Sequence, residues 1–191
     1  MPREATRSCL RYLMTEKNGV VLFMNYQTIS LRQVEGNLVR RIAEQWMLVA
    51  AGDESGYNMM TASWGGAGEM WGTDVAVAVV RPTRYTYEFL DRSDYFTLCF
   101  FDDVWKKRVH SVCGSQSGRD TDKAQATGLT PLFDHHSVRF AQAELTLCLR
   151  KIYVSDLDPK NFLDPAIAKW YDGDYHRMYV GAVEAVLKKI G

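Results

Sequence analysis

Three polar segments hold most of the residues able to grip an anionic ligand. Thr61-Ala62-Ser63-Trp64 sets two hydroxyls and an indole beside the glycines at 65, 66 and 68. Backbone amides can approach a ligand closely there, so the segment suits an aromatic, phosphate-bearing cofactor. Arg81-Pro82-Thr83-Arg84 supplies two guanidiniums ahead of an expected helix, whose free first amides and dipole favour phosphate. Ser115, Ser117, Gly118, Arg119 and Lys123 form a third segment before another helix start. Other chemistries fail on spacing. Gly114-Ser115-Gln116-Ser117-Gly118 carries Gln116 where a nucleophile elbow needs serine. There is no Gly-Lys-Ser/Thr phosphate loop and no GxGxxG after a strand. His135 and His136 are adjacent, so on a strand their rings would point to opposite faces, and the cysteines at 9, 99, 113 and 148 form no CxxC pair. No metal site and no catalytic acid, base or nucleophile is expected.

The elements that must position these segments read mainly as strands. Leu38, Ile42 and Trp46 fall at helical spacing and predict a short amphipathic helix running into a strand over Trp46–Ala51. Turn residues at 52–56 return the chain as Tyr57–Ser63. Trp64–Gly68 reads as a flexible loop, Val75–Val80 as a buried strand stopped by Pro82, and Thr83 as the cap of a helix through Phe89 and Leu90. Tyr95–Phe101 is the next strand. Asp102 or Asp103 then caps a helix with Val104, Val109 and Val112 inward, ended by Gly114. A short helix is expected over Asp120–Ala126. Ala143, Leu145, Leu147 and Leu149 alternate with polar neighbours, as in a half-buried strand, and a last strand spans Tyr175–Leu187, where Gly181 marks a bulge or bend. Six or so strands with short helices between them predict a mainly β fold, a partly closed antiparallel barrel. Residues 1–23 are basic and aperiodic, and read as a poorly ordered N-terminal extension to a domain over 24–191.

The 191 residues are enough for about one domain with a core that needs no disulfide or structural metal. Lys plus Arg equals Asp plus Glu at 23 each, so nothing in the charge points to nucleic acid or an anionic membrane. No apolar run approaches the roughly 18 residues of a membrane span. Free cysteines in apolar strands, and an N-terminus interrupted by Arg3, Arg7 and Arg11, lead to an expected cytoplasmic setting.

Five spaced motifs also carry a resemblance: Asn58–Gly66, Arg81–Leu90, Ser93–Thr97, Gly114–Asp120 with Lys123, and Gly173–Gly181. In order from about Met24 to the end, they resemble the flavin reductase-like family, in a short form similar to flavoredoxins. The resemblance implies a Greek-key FMN-binding split barrel, a homodimer, and FMN in a cleft near the subunit interface. It implies that Thr61, Ala62, Ser63 and Trp64 touch flavin ring and phosphate. Arg81, Thr83 and Arg84 would belong to the phosphate side, and Ser115, Ser117 and Gly118 to a loop closing over the flavin. Asn58 and His176 are weaker cofactor candidates. Trp170 and Tyr171 would flank the nicotinamide or the partner subunit. The implied activity passes hydride from NAD(P)H to flavin, and electrons onward to a free flavin, a ferric complex, oxygen or a redox-partner protein. The rival reading is an FMN-binding electron carrier or flavin-storage protein without NAD(P)H turnover of its own.

Overall fold

The structure is a computed structural model that describes the backbone of residues 9–17 and 20–190, with side chains described from Asn25 to Ile190. Cys9–Lys17 (β1) and Val20–Ile29 (β2) pair antiparallel. Strand β2 crosses the domain start expected at Met24. Main-chain bonds hold this pairing and need no hydrophobic period to announce them. Residues 1–8 of the expected extension lie outside the described residues.

Leu38–Arg40 (α1) continues into a π-helical turn over Arg41–Gln45. Ile42 is buried as expected, but Trp46 takes φ 65° and turns its indole outward, 42% exposed. The strand therefore starts one residue later, as Met47–Asp53 (β3), and returns as Gly56–Ala62 (β4). Gly65–Met70 (β5) pairs with Thr73–Val80 (β6). This corrects the flexible loop expected over Trp64–Gly68. A Cβ on Gly65 would stand 2.2 Å from the Val77 carbonyl oxygen, so glycine serves close strand approach there rather than freedom. Helix Tyr85–Arg92 (α2), strand Tyr95–Phe100 (β7) and helix Asp103–Ser115 (α3) follow. Asp102 caps α3 by accepting from the Trp105 amide at 3.1 Å. Val104 is 82% exposed, not inward, because it sits in the first turn of α3 before the helix meets the sheet, whereas Val109 is buried.

The short helix is Lys123–Thr127 (α4), capped by Asp122 and ended by Gly128 in the left-handed region. Pro131–Asp134 (β8) and Ser137–Phe140 (β9) form a separate hairpin. Its turn is the pair His135 and His136, both at positive φ, so neither lies on a strand. The long strands Leu145–Asp156 (β10) and Arg177–Ile190 (β11) close the chain.

The sheet runs β1-β2-β11-β10-β7-β3-β4, and β6 joins β5 to β11. All pairings are antiparallel, as expected for a mainly β barrel with short helices. Strand β11 divides the structure. Its first half pairs with β6, from Arg177 opposite Val80, and its second half with β2, to Ile190 opposite Asn25. The central strands are buried on both faces. Met47, Val49 and Ala51 of β3 join one core with Phe96, Leu98 and Leu147, while Leu48 and Ala50 join another under α3 and α4 with Val109 and Cys113. Strand β10 was expected to be half-buried, but Thr146 and Cys148 are as buried as Leu147 because the second face is covered too. Among the described residues, no helix is long and apolar enough to cross a membrane.

Gly181 lies opposite an irregularity where Ile152 of β10 has no partner. A Cβ on it would stand 2.7 Å from the Leu149 Cβ and 2.9 Å from the Phe96 ring. Gly181→Ala should therefore destabilise the barrel by roughly 1–3 kcal/mol through overpacking. The urea midpoint measures this, and an unchanged midpoint would show that the core relaxes around a methyl group.

Candidate functional site

The three polar segments meet at the open edge of β4. Two cavities abut there, sharing Met60, Thr61 and Arg84 in their walls. One is cationic and hydroxyl-rich. It has a volume of about 140 Å³ and is bounded by Thr83–Thr86, by Cys113–Gly118 and by Lys123. The other, about 320 Å³, is aromatic, with Ala62–Trp64, Val79, Arg81, Trp170 and His176 around it.

The fold delivers each group for a local reason. Strand β6 ends at Val80, and the turn after it brings Arg84 to the N-cap of α2. Arg84, not Thr83, is the cap residue, and no side chain caps the helix. Tyr85 and Thr86, whose amides open α2 with no side-chain cap, line the cationic cavity, while the Tyr87 amide bonds the Arg84 carbonyl at 2.9 Å. Helix α3 ends at Ser115, whose Oγ donates back to the Ser111 carbonyl at 2.6 Å, and the chain turns through Ser117, whose Oγ accepts from the Arg119 amide at 3.2 Å. Asp122 starts α4 so that Lys123 points inward, only 5% exposed, its Nζ donating to the Met59 carbonyl at 2.8 Å.

The cations divide by partner. Arg119 pairs with Glu88 and lies over the Tyr85 ring. Arg81 pairs with Asp174, donates to the Trp170 carbonyl at 2.6 Å and stands over the Tyr171 ring. Arg84 and Lys123, by contrast, face a cavity with no carboxylate in its wall. Burial, and the positive charge of Arg84, push the Lys123 ammonium below its ordinary range, against the influence of Cys113. Two cations that no carboxylate in the wall balances, beside an uncapped helix start, give this cavity a positive potential that partial burial strengthens.

The aromatic cavity is a pile of rings. Trp64 meets Trp170 edge-on at 5.5 Å and leans on His176 at 4.9 Å, and Tyr171 bonds the His176 Nδ1 at 3.1 Å. Burial, with the Arg81 charge, pulls His176 down to about 4, so the ring is neutral near pH 7. Cys113 is pushed up to about 11 by burial and is an unreactive thiol. Among the described residues, no cluster of His, Cys, Asp and Glu could hold a metal ion.

The structure thus gathers Thr61, Ala62, Ser63, Trp64, Arg81, Thr83, Arg84, Ser115, Ser117, Gly118, Trp170 and His176 around one cleft. It divides them differently from the expectation. Arg81 faces the aromatic cavity rather than the anion site, and Ser115, Ser117 and Gly118 sit with the cations rather than over the rings. Asn58 lines neither cavity. It is buried behind the wall of the cationic one, donating to the Thr86 Oγ1 at 2.9 Å, and a Cβ on Gly118 would collide with its Oδ1 at 2.1 Å. Tyr171 supports the aromatic cavity from behind Trp64 and His176. Two residues at the cleft had no place among the expected site residues. Lys123 stood in the third anion-friendly segment without an assigned role, because nothing in the sequence shows that its side chain turns inward to the Met59 carbonyl. His110, which bonds Thr61 at 2.9 Å, gave no signal because the contact spans 49 residues.

A family model described as the flavin reductase like domain matches residues 39–189. No functionally curated protein matches the chain in sequence. Among solved structures, an FMN-binding domain of a flavin reductases-like enzyme from Shewanella baltica is similar with a TM-score of 0.62 at 19% identity, over 86% of this chain and 78% of that one. An FMN-binding protein from Thermus thermophilus, solved with bound p-hydroxybenzaldehyde, gives 0.57 at 25% identity, over 74% and 69%. Flavoredoxin of Desulfovibrio vulgaris gives 0.57 at 20% identity, over 74% and 67%. The fold is the split barrel, matching also a protein with a split barrel domain from Shewanella frigidimarina, with a TM-score of 0.58 at 18% identity over 81% of this chain and 75% of that one.

His110 resembles His176 in being moved down to about 4, by burial and then by the Lys106 charge. The unfolded chain would protonate both rings near pH 6.5 while the fold holds them neutral, so it binds more protons as pH falls from about 6.5 to 4. Stability should fall across that window by about 1–3 kcal/mol per histidine. The urea midpoint of the wild type should drop more steeply there than that of a His110→Gln/His176→Gln variant. Parallel slopes would mean that neither ring titrates in this way.

Proposed function

This chain belongs to the flavin reductase-like family, and from that membership and the chemistry of the cleft we propose that it binds FMN and acts as an NAD(P)H-dependent flavin reductase. The supporting observation is the pairing of two unlike cavities: one presents Arg84 and Lys123 with no carboxylate in its wall, and the other is walled by Trp64, Trp170 and His176. Such a cleft suits a molecule with a phosphate dianion at one end and a flat heteroaromatic ring at the other.

The residues fit that group in kind and charge. Arg84 and Lys123 would balance the phosphate, with the first amides of α2 and the hydroxyls of Thr83 and Ser117 as further donors. Thr61 stands at the junction, and Ala62, Ser63 and Trp64 would meet the ring. When bound, FMN supplies the hydride and electron chemistry. Trp64 and Trp170 would exclude water from one side of the ring and leave a flat apolar surface for a nicotinamide. His176 is neutral and bonded to Tyr171, so it packs and orients rather than exchanging protons. Asp174 and the Trp170 carbonyl hold Arg81 at the mouth of the aromatic cavity, where it can meet an anionic group of the donor. The exposed Met70, Trp71 and Tyr153 give an apolar surface consistent with a homodimer. The acceptor is a free flavin, a ferric complex, oxygen or a redox-partner protein.

Titrating FMN with the protein should quench the flavin's fluorescence. Arg84→Ala removes a charge-assisted contact worth about 1.5–3 kcal/mol, which should weaken the affinity by roughly tenfold or more. FMN whose emission is unaffected by excess protein would overturn the flavin assignment. For the loaded protein under anaerobic conditions, NADH or NADPH alone should bleach the flavin absorbance. A sample that stays yellow with both donors yet is bleached by dithionite would be an electron carrier or flavin store instead.

A further inference from the structure

Trp46 breaks a backbone rule. It takes φ 65° and ψ 159° at the end of the π-helical turn Arg41–Gln45, in a region that glycine alone visits freely. A π-turn followed by such a residue is costly to hold, and both features recur at ligand sites. The indole is not buried in return, being 42% exposed. The strained backbone instead stands the ring beside helix α3, edge-on to His110 at 5.7 Å between centroids. Trp46, Asp103, Lys106, Lys107, His110 and Ser111 bound a third cavity there, of about 450 Å³. That volume is in the range of small-molecule sites. None of these six residues lines either cavity of the cleft, so the site is a separate one.

Its walls combine an aromatic surface with a surplus of positive charge. Two ammonium groups stand with one carboxylate, and among the described residues Lys106, Lys107 and Asp103 form no ion pair. His110 is 5% exposed and links this cavity to the cleft, its Nδ1 standing 2.9 Å from the Thr61 Oγ1. Its Nε2 is buried without a hydrogen-bond partner. An unpaired polar atom in a cavity wall is the kind of group that a ligand or a water meets. This holds for either tautomer, because Nε2 offers an N–H in one and a lone pair in the other.

We propose that the cavity between Trp46 and α3 is a second ligand site, for a flat aromatic ring that carries an anionic group, with the ring against the indole and the anion held by Lys106 and Lys107. A neutral ring would forgo the charge-assisted contacts, and an aliphatic anion the ring contact. The site stands one hydrogen bond away from Thr61 of the cleft. It does not rest on the flavin reading.

The full chain, labelled with 5-fluorotryptophan and without FMN, tests this with naphthalene-2-carboxylate as the probe. The 19F resonance of Trp46, assigned as the one lost in Trp46→Phe, should shift and saturate with a dissociation constant of about 1 mM or tighter. Lys106→Gln/Lys107→Gln should weaken the probe about three- to tenfold. Neutral 2-naphthol should bind the wild type more weakly by a similar factor. If the double variant folds poorly, the comparison of the two probes on the wild type decides the point. Equal affinity of carboxylate and naphthol, or a Trp46 shift that grows without saturating, would overturn the proposal. So would a probe that moves only the Trp64 and Trp170 signals, having gone to the cleft. A Trp46 signal that answers to protein dilution and not to the probe would make this face a contact between copies of the chain, and would overturn it too.

Discussion

Two positive charges facing one cavity with no carboxylate between them are the constraint around which this end of the barrel is built. Each would be cheaper elsewhere. Lys123 gives up most of its hydration for one carbonyl, that of Met59, and its ammonium is correspondingly weakened as a charge carrier. Its helix is only five residues long and is fixed at both ends, by the Asp122 cap and by left-handed Gly128. Helix α2 likewise begins without a capping side chain, a choice that usually forgoes about 1 kcal/mol. A chain selected for stability alone would place an aspartate or serine at position 84. Local rules broken together at one place, while the neighbouring Arg81 and Arg119 are each paired with a carboxylate, are the pattern expected of a binding site.

The arginines at 81 and 84 show how three residues of separation produce two roles. Arg81 directly follows the last residue of β6, so its side chain is directed across the strand ends toward the segment before β11. There Asp174 and the Trp170 carbonyl receive it. Pro82 and Thr83 then turn the chain, and Arg84 arrives at the start of a helix whose dipole points at the other cavity. The strand end and the helix start face different halves of one cleft. The aromatic half depends on the first of these contacts. Trp170 is 53% exposed and belongs to a stretch of short 3-10 turns, which the Arg81 contacts to Trp170 and Asp174 tie to the barrel together with the packing of Trp170 and Tyr171 on Trp64.

Much of this was legible in the sequence, and what was not fails for identifiable reasons. β-branched and aromatic runs located β6 and β7, Asp102 announced α3, and the residue types of three loops pointed to residues that the structure gathers around one cationic and aromatic cleft. Patterns that depend on what covers a surface were misread. The alternation along β10 looked like one wet face, because Thr146 and Cys148 are small and polar, and nothing local tells that Tyr26 and the second core cover them. Gly65 looked like freedom because the strand that passes 2.2 Å from its missing Cβ is a dozen residues away. Val104 looked buried because it is apolar, but five residues set it about 140° around the helix from Val109, and it lies in the first turn. Helix α2 begins one residue later than the hydroxyl of Thr83 suggested, so Arg84 and not Thr83 is its cap.

The absence of an acid–base pair from the three loops agrees with the state of the two histidines that reach the cleft. Each had the means to be a proton carrier, and each is instead desolvated until it is neutral over the whole range in which the fold is most stable. A neutral histidine with one nitrogen engaged is a rigid polar spacer: His176 fixes Tyr171 against the tryptophans, and His110 fixes the hydroxyl of Thr61. A proton-transfer enzyme would place such rings where solvent or a carboxylate brings them near neutrality. Here burial drives them the other way, while Arg84 and Lys123 face the cationic cavity with no carboxylate in its wall and Arg81, at the aromatic one, is paired with Asp174. Unbalanced charge at one end and neutral rings at the other is the distribution expected of a protein that binds and orients a reactive ring and leaves the bond-making to it.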